Sequence, residues 1–133
     1  MENTFDITVR DIRRQDIIDS FFNSLKELRK TRPFVTQNEV IEHAARSTAP
    51  RFYVTFENAR RFVSLLMRGK RLPIVNKNKV EMYKEIYRRW RARQKGGRNR
   101  YLVLADIILE PAPSFYLSED RIKGCYYRSM RKK

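Results

Sequence analysis

Apolar residues recur at helical spacing along most of this chain. Ile18, Phe21, Phe22, Leu25 and Leu28 share one stripe, with Asp19, Lys26, Arg29 and Lys30 opposite. That pattern predicts a helix from about Asp16 that stops at Pro33, because a residue before proline is pushed out of the α region. Residues 1–13 show little periodicity and are expected to fray. The string "TQNE", Thr36 to Glu39, is a capping box and predicts a short helix burying Val40, Ile41 and Ala44. A third helix is expected after Thr55, which can cap it, with Phe56, Ala59, Val63, Leu66 and Met67 inward. Gly69 stands where a helix end favours positive φ.

"KRLPIVNKN" reads as a connector, with Asn76 able to cap the longest helix, about residues 77–94. Val80, Tyr83, Ile86, Tyr87 and Trp90 form the apolar stripe of that helix. Gly96 and Gly97 end it, and Asn99 can cap the next helix. Residues 102–109 have branched side chains suited to a strand, but the corresponding stretch of the first half is helical, so a helix is expected with Leu102, Leu104 or Ala105, and Ile108 inward. A last helix should start after Ser118, burying Ile122, Cys125, Tyr126 and Met130.

Two seven-residue strings are nearly the same. "APRFYVT" starts at Ala49 and "APSFYLS" at Ala112, an offset of 63. An offset of 62 aligns Phe21 with Tyr83, Leu25 with Tyr87 and Leu28 with Trp90. The order long helix, short helix, extended proline segment, capped helix is thus written twice. The expected fold is all-α: about six helices in two pseudo-repeated, helix-turn-helix-like units, with at most a minor short β pairing of the two Phe-Tyr segments. One compact domain, 1–133, is expected, made of pseudo-repeats 14–70 and 77–133 joined by connector 70–76. Phe52 and Val54, and Phe115 and Leu117, alternate with Tyr53 and Tyr116, so the phenylalanines should face the core. Helix, turn, capped helix is also the outline of a helix-turn-helix reader, though the link from Ser47 to Val54 is longer than the usual turn.

Charge changes the picture most. The chain carries 30 Lys+Arg against 15 Asp+Glu, and residues 68–100 alone hold 13 against 2. A polyanionic partner accounts for such a concentration better than solubility does. In the long helix Lys77, Lys84, Arg88, Arg91 and Lys95 recur at steps of three, four and seven on one face, flanked by Arg89 and Arg93. Arg98 and Arg100 extend that face past the glycines, and Arg60 and Arg61 on the preceding helix are candidates for discrimination between sequences. Guanidinium grips phosphate in bidentate fashion, which suits this arginine-rich set.

Catalytic chemistry finds no constellation. His43 is the sole histidine and Cys125 the sole cysteine, so no triad, intramolecular disulfide or cysteine-based zinc site can be assembled from them. The carboxylate pairs Glu39/Glu42 and Asp16/Asp19 read as surface charge, and no phosphate-cradling glycine loop is present. No metal, cofactor, small-molecule substrate or enzymatic activity is expected. The opening "MENTFDITVRDIRRQD" has no apolar core, and no apolar run approaches a membrane span, so the expected setting is cytoplasmic and nucleic-acid-associated. The expectation is therefore a double-stranded DNA-binding regulator or accessory protein, with DNA favoured over RNA as partner. The alternatives are an RNA or ribonucleoprotein binder and an assembly protein with an acidic protein partner.

Overall fold

A computed structural model describes residues 8–93 and 99–131. Among these the chain is all-helical, with six helices: α1 (Val9–Arg29), α2 (Gln37–Ala45), α3 (Phe56–Met67), α4 (Lys77–Ala92), α5 (Arg100–Ile107) and α6 (Glu119–Arg131). Each begins after a residue whose side-chain oxygen accepts from the free backbone N–H groups of the first turn. Thr8, Thr36, Thr55, Asn76, Asn99 and Ser118 do this in order. At Thr8 and Thr36 an acid three residues on, Asp11 or Glu39, completes a capping box; hydrogen bonds from the threonine, chiefly its hydroxyl at Asp11 and its N–H at Glu39, hold each carboxyl below its usual range. The first box explains why α1 starts at Val9 rather than near Asp16: "TVRD" supplies a helix start that apolar periodicity does not register. The stretch read ambiguously between helix and strand is α5, and Asn99 fixes its start. No strand occurs among the described residues; isolated bridge positions fall on Ala49 and Ala112, not on the Phe-Tyr pairs.

Packing divides the chain into two units, Met1–Ala49 with Pro113–Lys133, and Pro50–Ala112. In the first, α1, α2 and α6 pack on one another; in the second, α3, α4 and α5 do. The third helix of each sequence repeat thus packs with the first two helices of the other repeat. Both boundaries fall at the same step of the repeated string, between alanine and proline.

In the α1–α2–α6 unit the core is built from Ile17 and Phe21, Val40, Ile41 and Ala44, and Ile122 and Tyr126. The Phe21 and Tyr126 rings meet edge to face with centroids 5.0 Å apart. The buried stripe of α1 runs through Ile17, Phe21 and Ser24, turned away from Phe22, which is exposed. The buried Ser24 hydroxyl pairs with His43 Nδ1 at 2.8 Å, so the sole histidine pins α2 to α1. In the α3–α4–α5 unit the core holds Ala59, Phe62 and Val63, Met82, Tyr83, Ile86 and Trp90, and Val103, Leu104 and Ile107. Leu102, expected inward, is exposed, because α5 packs on α3 and α4 through the face that carries Val103, Leu104 and Ile107. Val40 and Val103, Ile41 and Leu104, and Phe52 and Phe115, each 63 residues apart, are buried. Tyr53 is buried as well, whereas Tyr116 adopts φ 54°, a left-handed conformation uncommon for a bulky residue.

Trp90 closes one end of the α3–α4–α5 core, and its indole N–H donates to the Arg100 carbonyl at 3.3 Å. Trp90→Ala removes both the buried ring and this link between α4 and α5. It should destabilise the protein by about 3–5 kcal/mol, read as a large fall in Tm by thermal denaturation.

Candidate functional site

The α3–α4–α5 unit, Pro50–Ala112, carries 16 Lys+Arg against 5 Asp+Glu; the remainder of the chain carries 14 against 10. Within this unit a surface groove of about 720 Å³ is lined by α3, the segment after it, Trp90 of α4 and the first turns of α5. Such a volume lies within the range of ordinary ligand sites. Glu57, Arg60, Arg61, Ser64 and Arg68 reach it from α3 because steps of three and four keep them on one face. The chain then turns sharply. Gly69 at φ 72° sends its N–H to the Leu66 carbonyl, and Lys70 sends its N–H back to Leu65 at 2.9 Å. This double closure needs the left-handed conformation that glycine adopts without strain. It delivers Lys70 and Arg71 to the groove beside Arg68, and Arg100 and Tyr101 line it from α5.

The groove therefore gathers six cations, Arg60, Arg61, Arg68, Lys70, Arg71 and Arg100, with one carboxylate, Glu57. Glu57 lies 3.7 Å from the Arg60 guanidinium, in an exposed pair one helical turn apart. Arg61 stands over the Phe62 ring, 5.3 Å from its centroid, and the Arg68 Nε–H donates to the Ser64 carbonyl at 3.4 Å. No carboxylate among the described residues pairs with Lys70, Arg71 or Arg100. Clustered guanidinium groups of this kind are strong donors to phosphate oxygens. The apolar part of the lining comes from Val63, Leu65, Met67, Pro73, Trp90 and Leu104, with the Tyr101 ring half-exposed beside it.

The residues singled out from sequence divide into groups. Arg60, Arg61 and Arg100 line the groove. Arg88 and Arg91 line a separate surface hollow with Tyr87 and Ala92. Lys77 and Lys84 are exposed on α4, and Lys95 and Arg98 lie outside the described residues. The α4 face is less cationic than its lysines and arginines alone suggest. Arg88 donates to both carboxylate oxygens of Glu85, from Nε at 2.9 Å and Nη2 at 2.7 Å, and Lys84 lies 3.7 Å from Glu81. Arg68, Lys70 and Arg71 belong to the string "RGKR", read from sequence as the end of a helix and a connector. The signal was there: three cations packed around a helix-terminating glycine.

Arg89 and Arg93, expected to flank the basic face, hold the unit together instead. Arg89 pairs with Glu85 at 2.8 Å, donates to the Pro111 carbonyl at 2.9 Å and covers the Phe52 ring at 4.9 Å. Arg93 meets Glu110 at 2.9 Å. The Arg93 and Arg89 guanidinium groups hold the Glu110 carboxyl below the usual carboxylate range, and Arg88 and Arg89 do the same for Glu85.

No protein-family model matches this chain, and no curated protein or solved structure matches it either. No group of histidine, cysteine, aspartate and glutamate suited to a metal ion occurs among the described residues, and none of their helices is long and apolar enough to cross a membrane.

Because the Glu110 pKa is depressed in the folded protein, its contribution to stability is present above the ordinary glutamate pKa, about 4.3. The contribution is lost as the pH falls through the lower folded value. Glu110→Gln should therefore lower the Tm at neutral pH, and the gap to the parent should close on acidification, measured by thermal denaturation across a pH series.

Proposed function

We propose that this protein binds nucleic acid, DNA in preference to RNA, as an accessory or regulatory factor, and that the groove of the α3–α4–α5 unit is its principal contact. The observation that carries this reading is the gathering of six cations around one groove with a single carboxylate among them. A polyanion gains from each cation it meets by releasing condensed counterions, so such a cluster favours a phosphate polymer over any singly charged ligand. The exposed face of α4, with Lys77, Lys84, Arg88 and Arg91, adds a second and weaker set. Its Lys84–Glu81 pair is a surface pair, worth about 0–1 kcal/mol. The exposed Arg88 guanidinium can swing toward phosphate from the half-buried Glu85, which keeps Arg89. Breaking these pairs still offsets part of the gain, which ranks the groove first. Arg60 and Arg61 have Lys123 and Gly124 as their counterparts 63 residues on, so the two units are not equivalent readers.

The test compares two double variants, each of which removes two positive charges. Arg68→Gln with Arg71→Gln should reduce DNA affinity and lower the slope of log affinity against log salt by about 0.9 for each duplex phosphate the variant no longer engages, regardless of sequence. Arg88→Gln with Arg91→Gln should do less. Both pairs are exposed, so circular dichroism should show an unchanged fold. If neither pair alters affinity or slope, the basic surface is only solubilising. Preferential capture of an acidic polypeptide over DNA in direct competition would replace this reading with a protein-assembly role.

A further inference from the structure

We propose that the groove takes a single-stranded stretch of polynucleotide, with one base lying on the Tyr101 ring and the adjoining phosphates held by Arg68, Lys70 and Arg71. This rests on the nucleic-acid reading and adds the class of substrate. Contact with a duplex backbone needs charge alone, because paired bases are stacked inside the helix and show only their edges. This groove offers more than charge. Its wall includes Val63, Leu104 and Trp90, and the Tyr101 ring is half-exposed among the cations. An unpaired base has a free face that such a ring can cover, and a cationic groove with aromatic platforms is the general solution for strands without sequence preference.

The platform is held in place before any ligand arrives. Asn99 Oδ1 accepts the Tyr101 N–H at 2.9 Å, and the neighbouring Arg100 carbonyl is held by the Trp90 indole. The backbone under the ring is thus fixed from both sides while the ring itself meets solvent, so little ordering is needed on binding. The site is also single. Positions 63 residues before Arg100 and Tyr101 are Gln37 and Asn38, and the position 63 residues after Arg61 is Gly124. The α1–α2–α6 unit lacks the stacking ring and the cations matching Arg61 and Arg100, although Lys123 and Arg131 stand where Arg60 and Arg68 do, so one strand per chain is expected.

Trp90 is the sole tryptophan and lines the groove, so its emission reports occupancy of this site directly. The intact protein is titrated at low salt with a mixed-sequence DNA strand of about 12 nucleotides, within the span such grooves occupy. The same strand annealed to its complement, and deoxyadenosine monophosphate, are titrated in parallel. The single strand should quench Trp90, bind more tightly than the duplex and saturate at one per chain. Tyr101→Ala should weaken single-strand binding on the order of 10-fold, as loss of one stacked base does, with duplex binding unchanged. Tyr101→Phe, which keeps the ring, should restore it. Equal binding of strand and duplex by the unmodified protein, insensitive to Tyr101→Ala, would overturn the single-strand assignment and leave the nucleic-acid reading standing. Mononucleotide binding as tight as the strand would overturn it in favour of a free nucleotide. Binding of neither polymer at low salt would sink both.

Discussion

The alanine–proline step, used twice, is the constraint on which the rest of the structure depends. Proline lacks the N–H that would continue a helix and disfavours the α region for the residue before it. At Ala49–Pro50 and again at Ala112–Pro113 the chain leaves one packing unit for the other. Neither α1 with α2 nor α4 with α5 is left to close a core by itself. The first pair is completed by α6 and the second by α3. Each core is closed by three helices, the third drawn from the other half of the chain. The phenylalanine two residues after each proline is buried, so each crossover is anchored as soon as it is made.

Within the α3–α4–α5 unit, α4 serves two ends through different sides of one helix. One side sends Met82, Tyr83, Ile86 and Trp90 into the core. Its arginines then separate by environment rather than by type. Arg89 and Arg93 are drawn to Glu110 and become structural ties. Arg88 is drawn to Glu85, and Arg91 is left exposed. Helical spacing shows that these residues are cationic and near one another. It does not show which of them meet a carboxylate brought from 17 or 21 residues further along the chain.

The groove arises from an ordinary helix ending. Gly69 turns the chain back on α3, which places the cations on either side of it on the same surface as Arg60 and Arg61. The Trp90–Arg100 hydrogen bond then sets the start of α5 against that surface. The one histidine is paired with a buried serine as a clamp between α1 and α2, and no metal-ligating cluster faces it among the described residues.

The sequence by itself determined the helices and, except for α1, their starts; the "TVRD" box at the start of α1 is just as local but lies outside the apolar stripe. Capping oxygens act within three residues and apolar stripes within two turns, so both are local physics that a linear reading can recover. It also determined the concentration of positive charge in residues 68–100 and the two copies of the alanine–proline string. Four things were decided only by the tertiary structure. They are the exchange of α3 and α6, the rotation of α1 onto Ser24 and of α5 away from Leu102, the conversion of Arg89 and Arg93 into structural ties, and the assembly of the groove from "RGKR", α3 and α5. Each depends on which distant surface a helix meets. That is set by the summed packing of many side chains and by where ion-pair partners come to lie, neither of which is written in local spacing.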